Sequence, residues 1–88
     1  MLRLSKNLRS VTNADGGVVL DLGRGQIFRC NATGAVVLEI LARGETEEGV
    51  VREVSRRCQV DAALVSVDVH DFLVSLTSHA LLSENDRD

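Results

Sequence analysis

Residues 17–31 decide the fold class, and they read Gly17-Val18-Val19-Leu20-Asp21-Leu22-Gly23-Arg24-Gly25-Gln26-Ile27-Phe28-Arg29-Cys30-Asn31. Two runs rich in apolar residues flank Gly23-Arg24-Gly25, a sequence typical of a tight turn between antiparallel strands. In the second run, alternation places Phe28 and Cys30 on one face and Ile27 and Arg29 on the other. The segment therefore predicts a β-hairpin whose second strand covers residues 26–30.

A weaker strand is expected before this hairpin. Apolar residues are spaced through an otherwise polar segment at Leu2, Leu4, Leu8 and Val11. The sequence Asn-Ala-Asp-Gly-Gly at residues 13–17 then indicates a turn, because Asp-Gly readily supplies positive φ. We expect three antiparallel strands over residues 2–31.

The hydrophobic period changes from two to 3.6 at Asn31, which predicts helices for the rest of the chain. Asn31 or Thr33 can cap the first helix, and Gly44 is a natural stop because glycine tolerates the left-handed conformation. Thr46 can cap a second helix. Asp61 can cap a third helix, which is expected over about residues 62–79.

The third predicted helix has two apolar flanks. Its core stripe consists of Val65, Val69, Phe72, Leu73, Leu76 and Ala80. At about 100° per residue, a second flank contains Leu64, Val67, Asp68, Asp71, Val74 and Ser75. This second flank is open to two interpretations: it packs against the sheet or the second helix, or it forms one wall of a binding groove.

The order of three strands and then three helices predicts the fold class. It is an α+β domain of the winged helix-turn-helix type, with a three-stranded antiparallel sheet followed by three helices. A chain of 88 residues forms one domain. We assign that domain to residues 1–82 and expect residues 83–88 to form a polar, frayed tail.

Composition and charge narrow the function classes. With two Phe, no Trp and no Tyr, the chain lacks the aromatic residues of a base-stacking nucleic-acid module. The net charge of −3 also argues against a nucleic-acid partner. Residues 1–31 carry five basic and two acidic groups, whereas the remainder carries five basic and eleven acidic groups. The first third therefore suits an acidic partner, although a solvated surface of mixed charge explains the same pattern.

The sequence shows no targeting segment. The first eight residues lack the unbroken apolar run of a signal peptide, and no stretch approaches the roughly 20 apolar residues of a membrane span. Two cysteines are too few for a disulfide framework. We therefore expect a cytoplasmic protein with reduced thiols and no membrane association.

No group of residues points to a metal, a cofactor or a catalytic site. His70 and His79 are nine residues apart, which places them on roughly opposite faces of the third helix. Cys30 and Cys58 have no CxxC partner and lie on apolar faces, so we expect buried, inert thiols. The aspartates of the third helix lack the enclosed pocket that acid–base catalysis needs, because so short a chain has little volume to build one. We expect the protein not to be an enzyme.

DNA binding is a serious alternative because winged helices often bind DNA. A recognition helix needs Arg, Lys, Asn or Gln to contact base edges and phosphates. None of these occurs between Asp61 and Ala80, where three aspartates stand instead. Arg24 and Arg29 of the hairpin leave a binding mode that uses only the wing. A small winged-helix DNA-binding regulator therefore stays open as the alternative function.

Three segments together resemble the PqqD-like family. Residues 17–34 resemble its run v-l-D-l-x-x-G-x-y/f-x-L-N-x-T-G, and residues 44–51, Gly-Glu-Thr-Glu-Glu-Gly-Val-Val, resemble the start of its second helix. Its third helix is matched by Asp68-Val69, Phe72-Leu73, Leu76 and Leu81-Leu82. Cys30 stands where Leu is usual, and Ala80 stands where Gly often ends the helix. The resemblance covers residues 2–82.

The resemblance implies a recognition element for ribosomally made, modified peptides. Such a domain binds the leader segment of a precursor peptide and presents the precursor to modifying enzymes, without catalysing a reaction itself. A free-standing domain of this length is most similar to the leader-binding proteins of lasso-peptide pathways. The implied partners are the precursor leader, a leader peptidase of the cysteine-protease type and a lasso cyclase. A generic interaction subunit for a radical enzyme or a ligase is a third interpretation.

The resemblance also implies where the leader binds. The leader adds as an antiparallel strand to the third strand and lies in a groove against the third helix. The residue pattern supports this, because we expect the second strand of the hairpin at a sheet edge and because the third helix has its extra apolar flank. The expected leader-binding residues are Gln26, Ile27, Phe28, Arg29, Cys30, Leu64, Val67, Asp68, Asp71, Val74 and Ser75.

The roles of these residues are hypotheses. Lasso leaders are implied to carry a Tyr-x-x-Pro motif, which supplies an apolar anchor. The pockets for such anchors are expected to be lined by Ile27, Val67 and Val74. Arg29 is expected to pair with an acidic leader residue. A basic or hydroxyl group of the leader is expected to meet Asp68 or Asp71.

Overall fold

The computed structural model describes residues 1–83, and of Ser83 only the backbone. Its strands are β1 (Arg3–Leu4), β2 (Leu8–Asn13), β3 (Gly16–Asp21), β4 (Gln26–Asn31) and β5 (Leu82–Ser83). Its helices are α1 (Ala32–Ala42), α2 (Glu47–Cys58) and α3 (Ala62–Ser78). The expected α+β class, with a three-stranded sheet before three helices, is confirmed.

Strands β2, β3 and β4 form an antiparallel sheet in that order. Successive residues point to opposite faces of a sheet, and in β3 the buried Val19 marks the face that packs on the helices. Phe28 lies opposite Val19 in β4 and shares that inner face. Among residues 1–83, β4 pairs with β3 alone, so the predicted third strand is an edge strand.

The predicted first strand is divided into two. Asn7 takes a left-handed conformation (φ 66°) between β1 and β2, and its carbonyl accepts a hydrogen bond from the N–H of Leu22 at 3.1 Å. β1 lies outside the three-stranded sheet and pairs with β5, with Leu4 opposite Leu82. Ser83, the expected start of the tail, belongs to β5 because β1 supplies its backbone partner. The rest of the expected tail, residues 84–88, lies outside the described residues.

Local side-chain chemistry starts and ends the helices. Each helix has an N-cap oxygen that accepts a backbone N–H, namely Asn31 from Gly34 at 2.9 Å, Thr46 from Gly49 at 3.0 Å and Asp61 from Ala63 at 2.9 Å. Gly44 ends the first helical segment with φ +83°. The structure selects Asn31 rather than Thr33 as the cap of α1, and it confirms the predicted roles of Thr46, Asp61 and Gly44.

Helix α1 lies at the centre of the core and packs against the sheet, α2 and α3. The buried apolar cluster comprises Val19 of β3, Val37, Leu38, Ile40 and Leu41 of α1, Val50 and Val54 of α2, Val65, Val69, Leu73 and Leu76 of α3, and Leu81. Aliphatic side chains therefore fill the interior, and Phe28 and Phe72 are only half-buried at its margin.

Two expectations about burial are wrong. Cys58 is exposed rather than buried, because it is the last residue of α2 and the buried side chains of that helix end at Val54. Ala80 is exposed rather than part of the core stripe, because α3 ends at Ser78 and the chain turns at Ala80 with φ 58°. In both cases the sequence pattern predicted a buried helical face that continues beyond the last residue of the helix that packs in the core.

Candidate functional site

The outer margin of β4 is a free hydrogen-bonding edge. Among residues 1–83, no strand pairs with the side of β4 that faces away from β3. In an antiparallel ladder, alternate residues direct both their N–H and C=O groups away from the paired strand. Such an edge is a template for an added strand. The edge can therefore bind an extended polypeptide through its backbone.

Aromatic side chains connect β4 to α3. The ring centroids of Phe28 and Phe72 are 6.0 Å apart, with an interplanar angle of 58°. The rings of Phe28 and His79 are 5.4 Å apart in an edge-to-face arrangement. Both distances lie in the range that favours aromatic pairs. Phe72 lines one cavity beside β4, and Phe28 and His79 line another, so the two cavities mark a groove between the free edge of β4 and α3.

Phe72 and His79 are site residues that the sequence analysis missed. Phe72 was assigned to the core stripe alone, although it lies four residues after Asp68 and three before Ser75. At that spacing, helical side chains lie on one face. The signal was therefore present for Phe72. Nothing local indicated that His79, beyond the last turn of α3, would contact Phe28.

A cavity of about 370 Å³ lies at the Asn31 end of β4. Its walls come from the start of α1 and from α3, and its lining consists of Asn31, Thr33, Gly34, Val37, Asp68, Val69, Asp71 and Phe72. This volume is in the lower range of ligand pockets, which starts near 300 Å³. Apolar surface meets two exposed carboxylates here, so the cavity suits a large side chain with a polar or cationic end.

A smaller cavity, of about 70 Å³, lies at the Gln26 end of β4. Ile27, Phe28 and His79 contribute to its lining. Nearby Asp21 is buried, and its carboxylate accepts hydrogen bonds at 3.1 Å from the N–H groups of Gly23 and Arg24. This carboxylate is therefore satisfied by the hairpin turn and serves to hold it.

The flank of α3 that borders the groove is a line of four residues. Leu64, Asp68, Asp71 and Ser75 are spaced by four, three and four positions, so they follow one side of the helix. Leu64 is 65% exposed and Ser75 is half-buried. Val67, 60% exposed, lies one row further from the core, on the row that also holds Val74 seven residues later.

Val74 is separated from Asp68 and Asp71. It lines a cavity of about 280 Å³ with Leu2, His70 and Leu82, on another side of α3. The helical spacing defined an apolar flank but did not show that Leu2 and Leu82 would lie beside Val74. The structure therefore brings Asp68 and Asp71 to the groove beside β4 and places Val74 elsewhere.

The side chains of the expected leader-binding residues in β4 point to two different faces of the sheet. Phe28 and Cys30 point inward and are half-buried, while Ile27 and Arg29 point to the outer face of the sheet and are exposed. Gln26 is exposed and lines the smaller cavity. All five lie on the free edge, and the inner pair borders the groove.

Cys30 has the environment of an unreactive thiol. Its sulfur donates to the carbonyl oxygen of Gly17 at 3.6 Å. Burial raises the pKa of the Cys30 thiol. An activated cysteine has a lowered pKa, so the shift is in the wrong direction for a nucleophile. Among residues 1–83, no cluster of three or more His, Cys, Asp or Glu side chains has metal-binding geometry.

The helices of the described residues are also unlike membrane spans: none is both long and apolar enough to cross a bilayer.

The sequence matches the family model of coenzyme PQQ synthesis protein D (PqqD) over residues 16–82. The chain belongs to the PqqD family. The match begins at the first residue of β3 and ends in β5, so it contains the free edge, the groove and all three helices. The family resemblance drawn from the sequence is thereby confirmed. No curated protein sequence matches the chain significantly.

Two solved structures share the fold of this PqqD-family protein. One, TbiB1 in complex with the TbiA(beta) leader peptide, superposes with a TM-score of 0.82 at 28% identity and covers 96% of this chain and 98% of TbiB1. The other, lasso peptide synthetase B1 complexed with the leader peptide, has a TM-score of 0.77 at 20% identity and covers 94% and 98%. The second likeness concerns the fold alone.

Proposed function

We propose that this protein is a non-catalytic adaptor that binds the leader segment of a ribosomally made precursor peptide in lasso-peptide biosynthesis. The leader adds to β4 as an antiparallel strand and lies in the groove against α3. The observation that carries the proposal is the free edge of β4 beside two cavities that aromatic side chains line. The likeness to TbiB1, which was solved with a leader peptide, supports it.

Side chains rather than the backbone supply most of the affinity. A backbone hydrogen bond contributes about 0.5–1.5 kcal/mol, whereas ordering a leader residue costs about 1–2 kcal/mol. The net binding free energy of the backbone ladder is therefore close to zero, and the ladder does not distinguish one leader sequence from another. A large apolar side chain that becomes buried adds about 1.5–3 kcal/mol. Leader side chains that become buried in the groove thus provide both the remaining binding free energy and the sequence specificity.

The strand direction assigns the ends of the leader to the two cavities. A strand antiparallel to β4 places its earlier residues beside Asn31 and its later residues beside Gln26. The earlier part therefore meets the cavity of about 370 Å³, where an aromatic anchor packs on Phe72. A phenol hydroxyl or a basic group at the end of that side chain donates to Asp68 or Asp71.

The remaining contacts follow from the two faces of the added strand. Leader side chains that point inward meet Leu64 on α3, whereas those that point outward lie beside Ile27 and Arg29. Arg29 pairs with an acidic leader residue on this outer side. Val74 is left out of the groove, since it lines a different cavity, and Val67 is left out with it because the two lie on one row of the helix.

Delivery completes the proposed role. The adaptor presents the bound precursor to a leader peptidase of the cysteine-protease type and to a lasso cyclase. It acts in the cytoplasm, where the ribosome releases the precursor. It needs no cofactor, because it binds one segment of the precursor and leaves the reaction to its partners.

Calorimetry with a synthetic leader peptide tests the groove. Leu64→Glu is expected to weaken binding at least about tenfold, a loss of about 1.4 kcal/mol, because it places a charge where an apolar contact forms. Val74→Glu is the matched control: it makes a similar change on the same helix, at a residue that is 51% exposed, and it binds as tightly as the wild type. If Leu64→Glu binds as tightly as Val74→Glu and the wild type, the groove assignment is wrong.

A second measurement tests strand addition itself. N-methylation of alternate leader amides removes the donors that pair with β4, while the side chains are kept. Binding is expected to fall sharply for one of the two alternate sets and little for the other. Unchanged affinity for both sets would exclude an added strand.

The DNA-binding alternative has its own discriminating experiment. Asp68 and Asp71 lie exposed on α3, where they would face phosphate groups. A titration with duplex DNA at low salt is expected to show no binding. A regulator would instead bind with a steep dependence on salt concentration.

A further inference from the structure

A cavity of about 350 Å³ lies outside the groove, between α1 and the end of α2. Asn13 and Ala14, where β2 turns into β3, line it on one side, and Cys58, the last residue of α2, lines it on another. Buried Ala35 and half-buried Val36 give it an apolar wall. We call it the α1–α2 cavity. Its volume is again in the lower range of ligand pockets.

Glu39 ties together the elements around this cavity. One oxygen of its carboxylate accepts a hydrogen bond from Thr12 of β2 at 3.2 Å, and the other accepts one from the guanidinium of Arg57 in α2 at 2.9 Å. Glu39 and Arg57 both belong to the lining, where their charges compensate each other. Because an unpaired charge is costly to bury, the α1–α2 cavity suits an apolar side chain rather than an acidic or a basic one.

The α1–α2 cavity continues from the groove around the start of α1. Thr33 lines both this cavity and the groove cavity of about 370 Å³. Other α1 residues divide between the two: Gly34 and Val37 line the groove cavity, whereas Ala35 and Val36 line the α1–α2 cavity. At about 100° per residue, these two pairs lie on opposite sides of the helix. A peptide that leaves the groove across the first turn of α1 therefore enters the α1–α2 cavity.

We propose that the α1–α2 cavity binds an apolar side chain of the precursor segment that precedes the added strand. An antiparallel leader has its earlier residues beside Asn31, which pairs with Gly16 next to the turn between β2 and β3. The preceding segment thus leaves the groove at the end of the sheet where the cavity lies. A helix is roughly 10 Å across and an extended residue spans about 3.3–3.6 Å, so about three residues link the aromatic anchor to this second side chain. The site depends on the proposed function and extends it to the other side of α1.

The second contact makes recognition depend on strand direction. A strand added parallel to β4 would bring its following segment, rather than its preceding one, to the α1–α2 cavity. An apolar residue before the aromatic anchor therefore favours the antiparallel direction. The segment that follows the strand then leaves at the Gln26 end of β4, away from this cavity, and is free to reach the modifying enzymes.

Calorimetry with two synthetic peptides of the precursor leader measures the contribution of this contact. One peptide is the full leader, and the other begins at the aromatic anchor and so lacks the preceding segment. The full leader is expected to bind at least about tenfold more tightly. Cys58→Trp fills the cavity from an exposed position, so it is expected to remove this difference and to bind the shortened leader like the wild type. Arg52→Trp is the matched control that keeps the difference, since Arg52 is an exposed residue of α2 outside the lining.

The native thiol of Cys58 provides an independent measurement on the wild-type protein. Cys58 is exposed and lines the cavity. Iodoacetamide alkylates a thiolate that it can reach, and mass spectrometry distinguishes Cys58 from Cys30. Saturating full leader is expected to slow alkylation of Cys58 severalfold. The shortened leader is expected to leave the rate unchanged.

The results distinguish this site from the proposed function. If neither leader binds, the proposed function is wrong and the site falls with it. If both leaders bind the wild type equally tightly and leave Cys58 equally reactive, leader binding stands and the α1–α2 cavity is not part of the site. A full leader that keeps its advantage in Cys58→Trp and does not protect Cys58 binds its preceding segment elsewhere, which also overturns the proposal. Alkylation needs no substitution, so it decides the question if Cys58→Trp disturbs folding.

Discussion

Gly34 and Gly49 provide a matched pair in which the same substitution has different expected effects on stability. Each is the third residue of its helix, and each donates its N–H to the N-cap side chain, Asn31 or Thr46. Replacement by Ala favours a helix by up to about 1 kcal/mol. The surroundings decide whether this gain survives. The new methyl group meets a fixed strand in one case and a flexible side chain in the other.

At Gly34, the added Cβ would lie 2.7 Å from the Cβ of Cys30 and 3.1 Å from Phe72 Cε1. Cys30 belongs to β4, so its Cβ moves only if the strand moves away from α1. Overpacking of this kind costs about 1–3 kcal/mol, which exceeds the gain in helix propensity. We expect Gly34→Ala to lower the free energy of unfolding by about 1–2 kcal/mol.

At Gly49, the nearest atoms belong to the side chain of Glu45, whose carboxylate accepts the N–H of Thr46 at 3.0 Å. This side chain can rotate away from a new methyl group and give up one hydrogen bond, which contributes about 0.5–1.5 kcal/mol. Gly49→Ala is therefore expected to change stability by less than about 1 kcal/mol in either direction.

Thermal unfolding followed by circular dichroism measures both variants. For a domain of this size, each kcal/mol shifts Tm by about 4–8 °C. Gly34→Ala is expected to melt at least about 4 °C below Gly49→Ala. A Gly34→Ala variant as stable as the wild type would refute the argument, because it would mean that α1 and β4 are not held at the described separation.

Three further changes have defined outcomes. Ala80→Gly is expected to raise Tm, since Ala80 has φ 58° and a left-handed residue other than Gly costs about 1–2 kcal/mol. Asn31→Ala removes the N-cap of α1 and is expected to cost about 1 kcal/mol in urea unfolding. Burial raises the pKa of Cys30, so the folded state holds this proton more tightly than the unfolded state. Wild-type stability is therefore expected to fall relative to Cys30→Val as the pH rises above about 8.5, measured by urea unfolding across that range.

The elements that could be predicted from the sequence depend on local chemistry. The hairpin at Gly23-Arg24-Gly25 and the caps at Asn31, Thr46 and Asp61 each involve atoms a few residues apart. Alternation along β4 likewise gave the correct inward and outward faces. These features need no knowledge of the rest of the chain, so they follow from residue type and spacing.

The features that could not be predicted are long-range contacts. β1 pairs with β5 across almost the whole chain, and neither segment shows a local signal for its partner. Leu82 of β5 lines a cavity with Val74 of α3, so this pairing also shapes the surroundings of Val74. A helical wheel gives the angular order of residues but not the neighbour that each flank meets. This is why the prediction grouped Val74 with Asp68 and Asp71, although the three line different cavities.

A free sheet edge also exposes the protein to pairing with itself, and the composition of β4 limits this. β4 has six residues, which restricts the number of hydrogen bonds a second copy can add. Two β4 strands joined antiparallel would place both Arg29 side chains on one face of the combined sheet, and like charges at close range destabilise such a pair. A leader strand with an acidic residue at that position has the opposite effect. The same arginine therefore disfavours self-association and favours the proposed ligand, so the edge can stay open without aggregating.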